Sequence, residues 1–322
     1  MKPLLCFGEA IIDFLNTGFT SVDGLELADF RQFPGGAPAN VAVAFAQLGG
    51  RAKFAGQVGS DVFGDFLEKS LVHYGVDIKF LHKHPTAHTA LAFVSLDVDG
   101  DRSFSFYRDR TADLLFSIEQ VSDDWFVEHP VFHICSNTLT NADIAAVSGY
   151  ALERASRAGC TISIDANLRP GLWPNGTIDR SRCNVAIRFA NFVKFSKEEI
   201  ELLANGNEEK YVEDLLAGMT RLIVVTDGVG PVEYFTREHR GKIATPAVDV
   251  VDTTAAGDAF TAGVLRGLCA ASDFDLVVSK QKSVEALIEF AIRCGSLTAM
   301  RAGAFPALPV FADVEDFWTD MP

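Results

Sequence analysis

The 322-residue chain lacks several features that mark common functional classes. It has no apolar stretch near the roughly 20 residues that a membrane-spanning helix needs, so we expect a soluble protein with no membrane partner. No Gly-x-Gly-x-x-Gly sequence follows the first apolar run, and the chain has no Walker-type Gly-x-x-x-x-Gly-Lys sequence. A dinucleotide-dependent dehydrogenase is therefore disfavoured.

Positive charge is also scarce. The chain has 28 Lys and Arg residues against 43 Asp and Glu, a formal net charge of −15, and no run of Lys and Arg stands out. Nucleic-acid binding requires clustered positive charge, so we expect no nucleic-acid partner. An anionic nucleotide would have to be met locally by backbone amides, a metal ion and a few basic side chains. The acidity itself needs no explanation beyond solubility.

The six cysteines form no Cys-x-x-Cys pair, and most of them lie within apolar runs. This pattern favours buried, reduced thiols over a disulfide framework. The first residues are too briefly apolar for a signal peptide before they meet an acid at Glu9. We therefore expect a cytoplasmic protein.

Short apolar runs alternate with helical patterns along most of the chain. We interpret as strands the runs Leu4 to Phe7, Val131 to Cys135, Thr161 to Ile164, Phe192 to Phe195 and Leu222 to Val225. Helices predicted at about 141–158, 197–204 and 208–219 separate the later strands. The alternation predicts an α/β fold with a mainly parallel central sheet and helices on both faces. Ligands would gather at the carboxyl ends of its strands, where Asp165, Ser196 and Thr226 lie.

Two segments break this alternation. Residues 88–108 alternate polar and apolar positions around a turn at 97–101, which predicts a β-hairpin. Residues 14–34, rich in Gly, Asp and Phe, supply another extended piece. Neither segment fits a β-α-β unit.

Residues 252–260 read Asp-Thr-Thr-Ala-Ala-Gly-Asp-Ala-Phe, a turn of small residues that opens a helix with Asp258 in its first turn. Backbone amides that are free at a helix start form an anion site, and the helix dipole strengthens it. A carboxylate beside a bound phosphate makes chemical sense when it takes a proton from a hydroxyl that attacks the phosphate. A lone acid in a first helical turn is more often there because it stabilises the helix dipole.

A second motif, Gly-Gly-Ala-Pro-Ala-Asn at 35–40, precedes an amphipathic helical pattern that ends at Gly49-Gly50. Pro38 suits the first helical position. The double glycine lets a ligand approach bare backbone, and Asn40 offers both a donor and an acceptor. Taken alone, the motif also fits an ordinary glycine turn before a helix.

Together, the two stretches resemble the paired signatures of the ribokinase (PfkB-type) carbohydrate kinases, in the usual order and separation. The resemblance runs over nearly the whole chain. It is sharpest toward fructokinases through four further stretches at 8–13, 56–64, 99–108 and 165–174. The implied fold is ribokinase-like.

The resemblance also implies a domain division. Residues 14–34 and 88–108 would form a small β-sheet lid over the sugar site, and residues 1–13, 35–87 and 109–322 the α/β nucleotide-binding and catalytic domain. Such a lid has edge strands and an apolar outer face, which a second copy would cover. We expect a homodimer through the lids, and a monomer with a polar lid surface stays open.

By the same resemblance, Asp258 is the general base for the sugar hydroxyl, acting as an ordinary carboxylate that is ionised at neutral pH. The transferred phosphoryl group would meet the amides of Ala255, Ala256 and Gly257. Sugar recognition is assigned to Asp13, Gly35, Gly36, Asn40, Phe106, Arg108 and Arg169. Asp13 also fits an ordinary strand-end acid, and Arg108 a solvated charge of the lid.

One position departs from the family pattern, because residue 255 is usually glycine in the family and is alanine here. An alanine keeps the amide, but a left-handed backbone at that residue would cost roughly 1–2 kcal/mol. We therefore predict a negative φ at Ala255, with the amide cradle intact.

The nucleotide side is assigned by resemblance to Ser196, Thr226, Gly228 and Gly230, although the loop at 226–230 is one residue tighter than in the family. Glu199 would help to hold Mg²⁺ through water, or it is simply an acid at a helix start.

A site for a monovalent cation, K⁺ in particular, is implied at Asp252 and Thr254 with backbone carbonyls near Arg301 and Gly303. Ala307 stands where some relatives have a serine ligand, so potassium dependence stays open at this point.

The implied activity is transfer of the γ-phosphoryl group of Mg-ATP to a hydroxyl of D-fructose, at C6 by similarity to bacterial relatives. Within the same class, 2-keto-3-deoxygluconate kinase, whose lid also has a Tyr-Arg pair, and ribokinase are the alternatives. A catalytically silent sugar or nucleotide sensor is an alternative of another kind. The retention of Asp258 and its cradle of small residues argues against a sensor.

Overall fold

A computed structural model describes residues 1–96, 102–271 and 273–318. The strands in this part of the chain are β1 (Leu4–Phe7), β2 (Ile11–Val22), β3 (Leu25–Gly35), β4 (Ala52–Gly59), β5 (Asp77–His84), β6 (Leu91–Leu96), β7 (Arg102–Tyr107), β8 (Val131–Cys135), β9 (Thr161–Asp165), β10 (Phe192–Ser196), β11 (Leu222–Thr226), β12 (Val232–Phe235) and β13 (Arg240–Ile243). The α-helices are α1 (Ala37–Gln47), α2 (Val62–His73), α3 (Ala142–Arg157), α4 (Arg180–Ile187), α5 (Lys197–Ala204), α6 (Glu208–Ala217), α7 (Ala256–Ala270), α8 (Phe274–Val278) and α9 (Gln281–Ala299).

The central sheet has nine strands in the order β13-β12-β11-β10-β9-β8-β1-β4-β5. The pairs from β11 to β5 are parallel, and β12 and β13 add an antiparallel edge. Alternate residues of β1 show that helices cover both faces. Leu4 and Cys6 pack in the core with α1, α2, α7 and α9, whereas Leu5 and Phe7 pack in the core with α3 to α6. The predicted α/β class is confirmed.

The five strands predicted from apolar runs are present, and three of them extend one polar residue further. Asp165, Ser196 and Thr226 belong to β9, β10 and β11, because Lys194 pairs with Asp165 and Ser196 pairs with Thr226 in the parallel ladders. The apolar pattern cannot reveal such residues, since they lie in the sheet ladder and contact the site rather than the core. The helix predicted at 208–219 ends at Ala217, where Gly218 forms its C-cap.

A second, smaller sheet has the order β3-β2-β6-β7. The predicted hairpin is the antiparallel pair β6–β7, and its predicted turn at 97–101 lies outside the described residues. From residue 17 to residue 31, the β2–β3 hairpin is almost entirely exposed. β2 begins at Ile11 and β3 ends at Gly35, so the limits 14–34 fall inside strands, and the division into domains stays a prediction.

Within the described ranges, none of the helices combines the length and apolar character that crossing a bilayer requires.

Candidate active site

A cleft of about 760 Å³ lies where the carboxyl ends of the central strands meet the start of α7 and the small sheet. Most of the residues predicted for the site line it. They are Asp13, Gly36, Asn40, Phe106, Arg108, Arg169, Ser196, Glu199, Gly228, Thr254, Ala255, Gly257 and Asp258.

Asp258 lies in the first turn of α7 and is only 6% exposed. Its two carboxylate oxygens accept hydrogen bonds from Asn40 Nδ2 at 2.8 Å and from Asn167 Nδ2 at 3.2 Å. Burial raises the pKa of Asp258 to about 7, although the hydrogen bond from Asn40 opposes this effect. Asp258, which was predicted to be an ordinary carboxylate, is therefore a much stronger base. Burial removes the water that would stabilise its charged form.

The prediction of a negative φ at Ala255 is wrong. Ala255 is the N-cap of α7 with φ 60° and ψ 3°, in the left-handed region. The turn needs this conformation to start the helix. The alanine side chain makes no hydrogen bond that caps the helix. The backbone here thus holds an alanine where a glycine would be unstrained.

The amide cradle is smaller than predicted. The amide of Ala256 donates to Thr253 O at 3.2 Å and so closes the turn. The amides of Ala255 and Gly257 have no acceptor among the described residues, and both residues line the cleft. Two amides and the positive end of the helix dipole are therefore available to an anion.

On the sugar side, the Asp13 carboxylate lies directly over Gly35, and a Cβ atom at residue 35 would collide with it. Asp13 is half-buried on β2. Burial raises its pKa to about 7, and the nearby negative charge of Asp258 adds to the rise. Asp13 and Asp258, both with a raised pKa, thus face the same cleft.

Gly36 joins the small sheet to α1 with a φ of 104°. A Cβ atom there would lie 2.5 Å from Glu9 O and 3.0 Å from Ala10 Cα. Only glycine satisfies both the dihedral angle and the close approach, and this brings Asn40 into reach of Asp258.

Arg108 is not a solvated charge of the lid. It is 9% exposed, and its Nε donates to Asp113 Oδ2 at 2.6 Å, while Nη2 donates to Asn137 O at 2.9 Å. The guanidinium is thus fixed at the edge of the cleft. Phe106 is half-buried beside it, against Ile11 and above Gly171.

Several buried polar atoms have no hydrogen-bond partner in the described structure. Half of them belong to residues that line this one cleft: Glu9 Oε2, Asn40 Oδ1, Arg108 Nη1, Asn137 Oδ1 and Asn167 Oδ1. Buried polar groups in folded proteins are almost always paired, so these atoms indicate a ligand rich in hydrogen-bonding groups.

The nucleotide side has Ser196 at the start of α5. Ser196 Oγ accepts from the amide of Glu199, and Glu199 Oε2 accepts from the amide of Ser196 at 2.7 Å, which forms a capping box. Glu199 Oε1 accepts from the amide of Leu168 at 2.7 Å. Burial raises the pKa of Glu199, and the positive charge of Lys194 opposes the rise.

An adjoining pocket of about 300 Å³ shares Gly228, Thr253 and Gly257 with the cleft and is largely apolar. Thr226 and Ala256 line this pocket rather than the cleft. Gly230 lines neither of the two. Its amide donates to Asp227 O at 2.6 Å, which closes the tight turn after β11.

The residues predicted for a monovalent cation also come together. Asp252 is 2% exposed, and its carboxylate accepts from the amides of Thr254 at 2.8 Å and Gly303 at 3.0 Å. The Arg301 side chain pairs with Asp313 at 3.0 Å, and a role of the backbone carbonyls near Arg301 and Gly303 stays a prediction. Asp252 therefore joins two loops beside the cleft.

Four buried polar residues that line the cleft were missed as site residues: Glu9, Asn137, Asn167 and Lys194. Glu9 and Asn167 lie inside stretches that carry the family resemblance, so a signal was present. Lys194 interrupts the apolar run of β10, and a lysine within a central strand is itself a signal. Asn137 follows β8 in a 3-10 turn and has no distinctive pattern around it.

A larger cleft, of about 870 Å³, lies between α5, α6 and β12. None of the predicted site residues lines it, and neither does any of the buried unpaired polar atoms in the described ranges. Size alone therefore does not identify the site.

Comparison with known proteins identifies the family. Residues 1–310 match the family described as pfkB family carbohydrate kinase. The chain belongs to this family. The predicted membership is thus confirmed, and the protein is a carbohydrate kinase.

Several similar proteins are described as fructokinases. The chain is 40% identical over 312 residues to "Probable fructokinase-6, chloroplastic" of Arabidopsis thaliana, covering 95% of this chain and 79% of that protein. It is similar to the crystal structure of fructokinase with bound ATP from Xylella fastidiosa, with 42% identity, a TM-score of 0.91 and 99% and 98% of the two chains covered. A Vibrio cholerae O395 fructokinase double mutant with fructose, ADP and potassium ion bound has 31% identity, a TM-score of 0.86 and 98% of each chain covered.

Proposed function

We propose that this kinase is an ATP-dependent fructokinase, which transfers the γ-phosphoryl group of Mg-ATP to the C6 hydroxyl of D-fructose with Asp258 as the general base. The observation that carries the proposal is the set of unpaired polar atoms around Asp258. They include four acceptors, on Glu9, Asn40, Asn137 and Asn167, and one donor, on Arg108. A polyhydroxylated sugar has the hydroxyl groups to pair with all of them.

The charges of the sugar side favour a neutral acceptor over a keto acid. Glu9, Asp13 and Asp258 line this half of the cleft. The Arg108 guanidinium is already paired with Asp113, and Arg169 is the second guanidinium that lines the cleft. Acidic side chains still outnumber the guanidinium groups here, so 2-keto-3-deoxygluconate, which has a carboxylate, is a poorer fit than neutral fructose.

The chemistry follows from the position of Asp258. As the sugar hydroxyl oxygen bonds to the γ-phosphorus, its proton passes to the Asp258 carboxylate, and the bond between that phosphorus and the β–γ bridging oxygen breaks to release ADP. The amides of Ala255 and Gly257 face the charge that spreads over the transferred group. The hydrogen bonds from Asn40 and Asn167 hold the carboxylate in place for this transfer.

The adjoining apolar pocket suits the adenine ring, because it opens into the cleft at Gly228 and Gly257. The described residues contain no group of three or more His, Cys, Asp or Glu side chains placed to hold a metal ion. This fits Mg²⁺, which is usually bound by substrate phosphates with one or two carboxylates. Glu199 would hold it through water, and the ion would neutralise phosphate charge.

We also propose that K⁺ binds beside Asp252, whose buried carboxylate joins the loops of Thr254 and Gly303. A cation there would offset a negative charge that raises the pKa of Asp13. Exchange of K⁺ for tetramethylammonium in the activity assay tests this site, and equal rates in both salts would remove it.

A homodimer through the small sheets is proposed from the exposed β2–β3 hairpin. Val22, Leu25 and Leu27 are 44%, 65% and 47% exposed and share one face of it, because Val22 pairs with Leu25 and Leu27 lies two residues further along the same strand. Apolar residues clustered on an exposed hairpin usually mark a contact surface.

A cytoplasmic location is proposed because all six cysteines are free and buried, which suits a reducing compartment.

The test of the function is turnover of a panel of sugars with ATP, with the product position read by ³¹P and ¹³C NMR. We expect the highest kcat/KM with D-fructose and a fructose 6-phosphate product. A higher kcat/KM with 2-keto-3-deoxygluconate or ribose would replace fructose as the substrate. Ligand binding without turnover of any sugar would leave a sensor.

A further inference from the structure

Lys194 lies at the bottom of the cleft in an unusual position for a lysine. It is in the middle of β10, opposite Asp165 in the parallel ladder, and is 6% exposed. Its Nζ donates to Asp165 Oδ1 at 3.1 Å. An ammonium group has three donors, and within the described ranges Asp165 is the only acceptor that Lys194 reaches.

The ammonium also lies beside the first turn of α7. A Cβ atom placed on Gly257 would be 3.4 Å from Lys194 Nζ, so the ammonium lies close to the backbone of Gly257. A helix N-terminus is electrostatically positive and normally attracts anions. The ammonium and the helix N-terminus would therefore both attract an anion placed between them.

Asp165 is 1% exposed and holds the lysine rigidly. Its other oxygen accepts from Thr261 Oγ1 at 3.0 Å on α7, and Oδ1 also accepts from the amide of Asn167 at 3.1 Å. Burial alone would lower the pKa of Lys194, but the charges of Asp165 and Glu199 outweigh it and raise the pKa. The lysine is therefore a fixed, permanently charged donor and cannot serve as a base.

We propose that the Lys194 ammonium contacts the γ-phosphoryl oxygens during transfer, together with the amide of Gly257, and that Asp165 is its positioning residue. The inference deepens the proposed kinase function and rests on it. Lys194 neither gains nor loses a proton, because the sugar proton passes to Asp258. Its role is to stabilise the charge that builds on the transferred group and on the leaving bridging oxygen.

The test compares Lys194→Met, which keeps the length of the side chain and removes its charge, with the wild-type enzyme. We expect kcat to fall on the order of 100- to 1000-fold, while the Kd values for ADP and for D-fructose change by less than about threefold. Binding of ADP with aluminium fluoride and fructose, which resembles the transferred phosphoryl group, should weaken by a similar factor to kcat. Lys194→Arg should retain part of the activity.

Lys194→Met leaves Asp165 buried without its partner and could unfold the protein. The double variant Lys194→Met/Asp165→Asn removes both charges and gives the same test in a neutral pair. Lys53→Met is the matched control, because Lys53 is also a lysine of a central strand paired with an acid, Glu128, away from the cleft.

A kcat within about threefold of wild type in Lys194→Met or in the neutral pair would overturn the inference. So would a fall in kcat that is matched by an equal loss of ADP affinity, because the lysine would then act in ground-state binding. Failure of the wild-type enzyme to phosphorylate fructose is a different result. It removes the substrate assignment, and the Lys194 comparison is then made with the sugar that is turned over.

Discussion

Asn40 Nδ2 donates a 2.8 Å hydrogen bond to Asp258 Oδ2, and this contact joins the two sequence motifs across 218 positions of the chain. Asn40 lies on α1 and Asp258 on α7, and these two helices pack against each other on one face of the central sheet. The contact explains why neither motif is informative alone. One supplies the base and the other fixes its orientation.

Replacement of Asp258 by Asn should lower kcat by on the order of 100- to 10,000-fold, because the variant cannot accept the sugar proton. Fructose affinity should persist, and isothermal titration calorimetry beside a coupled kinetic assay separates the two quantities. Asp65→Asn is the matched control, since Asp65 is also an acid in a first helical turn, on α2, and is exposed. Turnover near the wild-type rate in Asp258→Asn would exclude the base assignment.

The pH dependence of activity should report the raised pKa of Asp258, which is about 7 in the free site. The ionised form accepts the proton, so kcat/KM should rise with pH and reach half of its plateau near neutrality. An ordinary carboxylate would give a profile that is flat from about pH 5 upward. Initial rates in a constant-ionic-strength buffer series distinguish the two.

The same burial predicts an effect on stability. The usual pKa of an aspartate is 3.8, and that of Asp258 in the folded protein is about 7. At pH values between these two, Asp258 keeps a proton in the folded state that the unfolded chain has lost. Stability from this group is therefore present at low pH and lost as the pH rises through about 7. Asp258→Asn should be more stable than wild type by on the order of 2–4 kcal/mol at about pH 8, and by much less at about pH 5. The measurement is urea unfolding of both proteins at the two pH values. An equal difference in the free energy of unfolding at both pH values would contradict the linkage.

Relief of the left-handed backbone at residue 255 should stabilise the protein. Ala255→Gly should raise the free energy of unfolding by about 1 kcal/mol, because glycine adopts a φ of 60° without strain. Ala255→Val should lower it, since a β-branched residue tolerates this region least. Thermal unfolding of both variants gives the comparison, and a destabilised Ala255→Gly would refute the strain.

Crowding at Gly36 should make even a methyl group harmful. Gly36→Ala should lose at least about 2 kcal/mol of stability and most of the kinase activity, because the backbone must move away from Glu9 and shift Asn40. Gly149→Ala, on α3 with open space around it, is the control and should be slightly stabilising. Denaturant unfolding and kcat/KM of the two variants test this contrast.

Removal of apolar surface from the β2–β3 hairpin should convert the proposed dimer to a monomer. Leu25→Lys combined with Leu27→Ser, on one face of the hairpin, should halve the mass in solution, measured by size-exclusion chromatography with light scattering. Val185→Ser, an equally exposed apolar residue on α4, should leave the mass unchanged. A wild-type protein of single-chain mass would refute the dimer directly.

The sequence predicts most of the architecture because burial imposes visible patterns. The apolar runs from Leu4 and from Val131 became strands with the predicted bounds, since both faces of a parallel sheet are covered. The site is less predictable. Lys194 and Asn137 reach the cleft only because β10 and β8 end there, and the sequence alone does not set the order of strands in the sheet.

Ala255 shows a different limit. The local preference of an L-residue argues for a negative φ, and that preference is real. It was overridden because the turn must direct the amides of Ala255 and Gly257 toward the cleft while Ala256 closes onto Thr253. The family motif held this information, whereas steric reasoning about one residue did not.

The complete burial of the native thiols has a practical consequence. Buried thiols with raised pKa values, such as Cys183 at about 12, react slowly with maleimides. A single cysteine introduced on the exposed hairpin, for example by Thr20→Cys, would then be almost the only thiol that reacts with a maleimide fluorophore. The emission of such a label would report whether the surroundings of the hairpin change when substrates bind, without any need to remove the native cysteines.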